Sequence, residues 1–228
     1  VPLPVTPGIH FFMGGIRVND SHETNIKGLY AAGEAACKYH GANRLGGNSM
    51  LGALFGGSVA AGSAAKDACI VKSLELNDFN VSESSPAARK QLKEILLSGL
   101  GIVRDPKAMQ QAIDSLNEMP GGSLSDIDRK RAFLGLAMLQ SAMARKESRG
   151  AHYREDIPYR NDDFLCYITL QKDENGAMKV EKIPVPKEWT GQHGIPYEQR
   201  YQFYFPGEPE AKGFTPPENK AGQGRAKK

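Results

Sequence analysis

The chain has 228 residues, 40% hydrophobic and 24% charged, which is ordinary for a globular protein and leaves room for one large domain or two small ones. Its net charge is only +3, and much of the basic excess sits in the closing run NKAGQGRAKK, so a nucleic-acid face is not indicated. No apolar run approaches the roughly 18 residues a membrane span needs, and the opening VPLPVTPG lacks the basic start and apolar middle of a signal peptide.

Cys37, Cys69 and Cys166 are widely spaced and form no C-x-x-C pair, which fits free thiols in a reducing compartment and argues against a metal or cluster held by cysteine. The chain starts at Val1 inside a proline-rich stretch, so it is expected to be a piece of something longer or a processed product.

In chain order, residues 1–9 carry three prolines and should be extended. HFFMGGIRVND (His10–Asp20) reads as a short strand interrupted by Gly14–Gly15. SHETN is a polar turn, and IKGLYAAGEAAC (Ile26–Cys37) reads as a short buried strand followed by Gly33 and by Glu34 at a turn. KYHGANRLGGN is a loop. From Ser49 a long run of small residues reaching Leu76 predicts a helix with Ser49 as its N-cap. Glycines at 52, 56, 57 and 62 each cost that helix about 1 kcal/mol relative to alanine, so it should be packed tightly against something.

Asp78–Pro86 is a polar linker. Three helical patterns follow, Ala87–Leu100, Pro106–Met119 and Ser125–Lys146, with Leu134, Ala137, Met138 and Ala142 as the apolar face of the last and PGGS (Pro120–Ser123) as the turn before it. They predict a helical hairpin or three-helix bundle. The alternating segment from Phe164 to Pro186 breaks at Asn175–Gly176, a hairpin signal, and the chain after Trp189 reads as an extended arm.

The stretch HGANRLGGNSMLGALFGG (His40–Gly57) places one arginine, Arg44, among residues that expose backbone. Gly46 and Gly47 let a ligand approach the main chain, and the helix start behind them favours an anion. No G-x-G-x-x-G follows a strand, and GLGIVRD (Gly99–Asp105) is a weak match, so a reduced flavin is a better candidate anion than a phosphate. The planar fork of Arg44 suits a carboxylate; its alternative is a structural ion pair. His10 either donates to a carboxylate or is a satisfied core histidine. Glu34 either accepts from ribose-type hydroxyls or caps a helix. In SRGAHYRED (Ser148–Asp156), Arg149, His152 and Arg154 lie beside Glu155 and Asp156, as an internal charge network or as a contact for an electron-carrying partner.

HFFMGGIRVN, GLYAAGEAACKYHGANRLGGNSMLGALFGG and RKESRGAHYREDIPYRNDD together resemble the C-terminal part of the succinate dehydrogenase/fumarate reductase flavoprotein family, to which L-aspartate oxidase is similar. The resemblance covers roughly residues 5–185. It implies an α/β (α+β) fold. Residues 1–77 would be the C-terminal part of a Rossmann-like FAD-binding domain, 78–150 a helical bundle, 151–188 a segment with a β-hairpin and 189–228 an extended tail.

It further implies FAD as cofactor, with Glu34 on the flavin's sugar-like chain and Asn48, Ser49 and Met50 at the isoalloxazine edge. His10, Arg44 and the Gly47 backbone would bind a C4 dicarboxylate such as fumarate or succinate. No metal site and no proton donor is assigned to this sequence. The implied partners are an N-terminal flavoprotein segment or chain and an iron–sulfur electron-transfer subunit, so the chain alone is not expected to hold flavin tightly. The expected location is cytoplasmic, or membrane-associated through partner subunits. One departure from the family pattern is SMLGALFGG, where many members carry a leucine pair and an acidic residue after the serine.

Overall fold

The computed structural model describes residues 8–67, 83–119 and 124–186. The expected extended start, the helical run beyond Asp67, the PGGS turn and the tail after Trp189 therefore lie wholly or largely outside the described residues. The chain divides into two compact units, Val1–Asn80 and Val81–Lys228.

In the first unit the two expected strands do not form. Ile16 and Ala36 make a single parallel bridge, in which the Ile16 N–H donates to the Ala35 carbonyl at 2.8 Å and the Cys37 N–H donates to the Ile16 carbonyl at 2.9 Å. Glu23 and Tyr30 make a single antiparallel bridge. The ladders stop there because turns closed by His22 N–H to Asn19 and Leu29 N–H to Ile26 interrupt both runs. Gly15 permits the first bridge, since a Cβ there would lie 2.5 Å from the Ala35 carbonyl oxygen. Gly33–Ala35 forms one turn of 3-10 helix.

The long helix of this unit, α1, spans Asn48–Asp67. It starts one residue before the expected cap, Ser49, which sits inside its first turn. The physical reason is the turn Leu45–Asn48: Asn48 N–H donates to the Leu45 carbonyl at 3.3 Å, and Gly47, at φ +82°, takes the left-handed conformation that closes it. Close packing explains two of the four helix glycines. A Cβ on Gly56 would come within 2.9 Å of the Tyr39 ring carbon Cζ and 3.2 Å of His22 Nε2, and one on Gly52 within 3.3 Å of both Tyr39 and His40. Gly57 and Gly62 face open space. At its far end, Asp67 accepts from the Tyr30 hydroxyl at 2.7 Å and from Lys27 at 3.0 Å.

The second unit is built from α2 (Pro86–Gly99), α3 (Pro106–Glu118), α4 (Asp126–Ala144) and an antiparallel hairpin. Each helix has a side-chain cap: Ser85, Asp105 and Ser125 accept from the N–H groups of Ala88, Ala108 and Asp128. Pro86 and Pro106 occupy first-turn positions where a missing N–H costs nothing. Asp128, fully buried, ties two helix starts together by accepting from Ser84 Oγ (2.6 Å), Ser85 N–H (3.2 Å) and Ser125 Oγ (2.8 Å). Those bonds, Ser84 first, hold its carboxyl below the usual range against the opposing effect of burial.

One connected core joins the three helices through Leu92, Met109, Ile113, Leu116, Ala132 and Leu139. The buried face of α4 is Asp128, Ala132, Gly135, Leu139 and Ala142; of the expected face Ala142 is buried and Ala137 and Met138 are half-buried, but Leu134 is 61% exposed. Small residues face inward because the helices approach closely. A Cβ on Gly135 would lie 2.7 Å from a Leu96 methyl, and one on Gly99 2.7 Å from Ala112 and from Leu139.

The hairpin pairs β1 (Cys166–Lys172) with β2 (Met178–Pro184), in register from Cys166↔Pro184 to Lys172↔Met178. Gly176 at φ +83° turns the loop, and Asp173 Oδ1 accepts from the N–H groups of Asn175 (2.9 Å) and Ala177 (2.8 Å).

Candidate functional site

All the site residues expected from sequence fall in the first unit. Arg44 is half-buried there. Its Nη1 donates to the Leu45 carbonyl at 3.0 Å, and its guanidinium carbon lies 4.7 Å from the centroid of the Phe11 ring. Among the described residues no carboxylate forms an ion pair with Arg44, so the expected alternative of a structural ion pair finds no partner there.

Phe11 follows His10, whose side chain is exposed. On the other side of Phe11, the Phe12 N–H donates to Glu34 Oε1 at 2.9 Å. Glu34 and Arg44 thus grip the same short strap, His10–Phe12, one through its backbone and one through a ring. Glu34 does not cap a helix, and one of its two oxygens is committed to this bond.

The start of α1 lies directly beyond Arg44. Asn48 N–H is used by the Leu45 carbonyl, while Ser49 and Met50 are first-turn positions whose N–H groups have no acceptor within the helix. A Cβ on Gly46 or Gly47 would meet nothing within 4 Å, so the backbone here is open to an approaching group. Met50, Leu51, Leu54 and Phe55 are all more than half exposed. These features fit a flavin edge: free amides for its electron-rich side, open backbone and an apolar surface.

A cleft of about 290 Å³ is lined by Tyr39, His40, Asn48, Leu51, Gly52 and Phe55. Behind it sits a residue that the sequence gives no reason to single out. His22 is fully buried, adopts φ +62°, and its Nε2 shares a hydrogen bond with the Tyr39 hydroxyl. Its ring stacks on Tyr39 and meets Phe55 edge-on. Burial, then the Lys38 charge, hold its imidazole below the usual value. The fixed rings of Tyr39 and His40 form one wall of the cleft.

In the second unit the cationic run forms an internal network. Glu147, fully buried, accepts from Arg145 Nη1 (2.6 Å), Arg149 Nε (2.9 Å) and the Asn161 N–H (3.0 Å). Burial raises its carboxyl, but these donors outweigh it and the net shift is downward. Arg154 makes two bonds to Asp156 at 2.9 and 2.7 Å. His152 accepts from Arg104 at Nδ1, and burial, then the Arg104 charge, push its pKa down to about 4.

Among the described residues no group of three His, Cys, Asp or Glu side chains could hold a metal, and no helix is long and apolar enough to cross a membrane.

Comparison with known proteins gives the same direction at both ends. Residues 2–50 match the family described as FAD binding domain, and residues 128–201 match the one described as fumarate reductase flavoprotein C-term, together more than half of the chain. The fumarate reductase flavoprotein subunit of Haemophilus influenzae is 34% identical over 220 residues, covering 81% of this chain and 37% of that protein. L-aspartate oxidase of Pyrococcus horikoshii is 36% identical over 163 residues, covering 71% of this chain and 33% of that protein.

A solved structure of E. coli quinol fumarate reductase superposes with a TM-score of 0.63 at 31% identity, covering 81% of this chain and 38% of that one. The chain thus spans about a third of the length of the curated relatives it matches. With three blocks of shared residues, two matched domains and a shared fold, the chain belongs to the succinate dehydrogenase/fumarate reductase flavoprotein family.

Proposed function

We propose that this chain carries the substrate-gripping and flavin-facing elements of an FAD-dependent oxidoreductase that interconverts a C4 dicarboxylate pair such as fumarate and succinate. The observation that carries this reading is the strap His10–Phe12, held by Glu34 on one side and stacked under Arg44 on the other, next to the open start of α1. Arg44, which has no carboxylate partner among the described residues, links the strap that carries the exposed His10 to the turn before the free amides of α1. That donor set suits a molecule with two acid groups beside an electron-rich ring.

FAD, when bound, supplies the hydride acceptor and donor. Arg44 binds one carboxylate and His10 the other, with the Gly47 backbone as a further contact. In reduction, the hydride goes to one alkene carbon and a proton to its neighbour; oxidation reverses both transfers. Arg44 fixes the geometry and stabilises the enolate-like charge that builds on the carboxylate it holds. The proton donor is not assigned to this chain. Glu34 would hold the flavin's sugar-like chain through its remaining oxygen, and Asn48, Ser49 and Met50 would hold the ring edge.

In this reading residues 1–77 belong to a Rossmann-like FAD domain that an N-terminal flavoprotein segment or chain completes. Residues 78–150 form the helical domain, 151–188 the segment with the hairpin and 189–228 a tail. Electrons leave or arrive through an iron–sulfur subunit, in the cytoplasm or at a membrane reached through partner subunits. A second reading is oxidation of L-aspartate, favoured by the 36% identity to L-aspartate oxidase. A third is a non-catalytic chain that completes a partner's flavin site.

The test is Arg44→Lys in the flavin-loaded enzyme. Lysine keeps the charge and loses the fork. Turnover of fumarate and succinate should fall by about a hundredfold or more while flavin absorbance is retained, in line with the loss of a transition-state donor. Unchanged turnover rejects the role. Parallel assays with L-aspartate separate the first reading from the second.

A further inference from the structure

We propose that Phe11 is a positioning residue of Arg44, holding its guanidinium against an aromatic face with no carboxylate partner among the described residues, so that an incoming carboxylate meets a pre-ordered fork. This rests on the reading of Arg44 as a carboxylate-binding residue and adds the device that sets its affinity.

An arginine side chain is flexible, and fixing it costs conformational freedom. Proteins usually fix a guanidinium with a carboxylate, which also neutralises it. Here no carboxylate among the described residues pairs with Arg44. Its restraints are of another kind. The Phe11 ring lies 4.7 Å from the guanidinium carbon and the Leu45 carbonyl takes one N–H at 3.0 Å, while Nε is buried with no hydrogen bond.

A ring face attracts a cation through its quadrupole and strips water from it without supplying a counter-charge. The cation stays available for an anion, and the ordering cost is met before the ligand arrives. The ring is fixed in turn: the imidazole of His40 meets it edge-on at 5.1 Å and 80°, and the neighbouring Phe12 N–H is anchored on Glu34. His40 also lines the cleft, so the stack joins the grip to the cleft wall.

The experiment compares Phe11→Leu, which keeps apolar bulk and removes the ring, with Phe11→Tyr, which keeps the ring. Malonate, a dicarboxylate with no carbon pair to desaturate, is titrated into the flavin-loaded enzyme, and Kd is read from the change in flavin absorbance, beside KM and kcat for succinate.

Phe11→Leu should raise Kd and KM about tenfold with a much smaller change in kcat, whereas Phe11→Tyr should stay within about twofold of the parent. A strap that served only as structure would respond alike to both. His40→Leu, which leaves the strap's backbone intact, should raise Kd about threefold and guards against a poorly folded Phe11→Leu.

Equal Kd values for Phe11→Leu, Phe11→Tyr and the parent overturn the proposal. Arg44→Lys separates the two levels. If it leaves the malonate Kd unchanged, the carboxylate-binding reading itself fails; if it weakens Kd while Phe11→Leu does not, only the stacking role fails.

Discussion

The two units solve the problem of holding a chain together in opposite ways. The second buries a connected apolar core in which Met109 and Leu139 have no exposed surface, and it pairs its buried carboxylates with several donors each. The first buries mainly small or polar groups, Ala31, Ala36, Gly52, Gly56 and His22, and leaves Ile9, Leu45, Met50, Leu51, Leu54 and Phe55 largely open. One unit has a buried apolar core of large side chains, though Leu97, Ile102 and Leu134 stay exposed on its surface. Among its described residues the other buries no large apolar side chain, only the small Ala31 and Ala36.

The largest effect separating them should come from the core of the second unit. Leu139→Ala should lower the urea-unfolding free energy of the chain by about 2–5 kcal/mol, as for other fully buried leucines. A loss below about 1 kcal/mol would break the contrast, because it would mean that the bundle is not what holds the second unit together.

A smaller effect should appear as a pH dependence. An unfolded histidine titrates near its ordinary value of 6.5, and the folded His152 near 4. Between these values the unfolded chain takes up a proton that the folded chain refuses. The contribution of His152 is therefore complete above about pH 6.5 and shrinks as pH falls towards 4, by about 2 kcal/mol once its partial exposure is allowed for. His152→Gln should flatten that part of the stability–pH curve measured by urea unfolding. An unchanged slope would remove His152 as its source.

The smallest effect should be on the first unit. Leu54 is 68% exposed, and Leu54→Ala should move the unfolding midpoint of the chain by no more than about 0.5 kcal/mol. A larger shift would show that α1 packs its outer face within the chain itself.

Legibility followed the range of the interactions involved. Helices α2, α3 and α4 could be read from the sequence because their signals are local, such as Pro106 at the start of α3, while the caps Ser85, Asp105 and Ser125 emerge only in the structure. The hairpin was legible from Asn175–Gly176. The strands expected over His10–Asp20 and Ile26–Cys37 were not, because a strand needs partners along its length and each run finds only one bridge.

At the candidate site, Arg44 stood out as a lone cation among glycines. Its platform did not, since Phe11 is remote in sequence and a ring beneath a guanidinium leaves no spacing pattern. His22 and Tyr39 were invisible for the same reason. The place of Leu134 on α4 was misjudged because the close approach at Gly135 draws the small residues inward, a tertiary effect that hydrophobicity alone does not report.

One carbonyl oxygen has two clients. The Leu45 oxygen accepts from Arg44 Nη1 at 3.0 Å and from the Asn48 N–H at 3.3 Å. Grip and helix mouth are therefore yoked at a single atom. Whatever tugs on the cation loosens or tightens the first amide of a 20-residue rod, so occupancy at one end of this small bend is felt mechanically at the other.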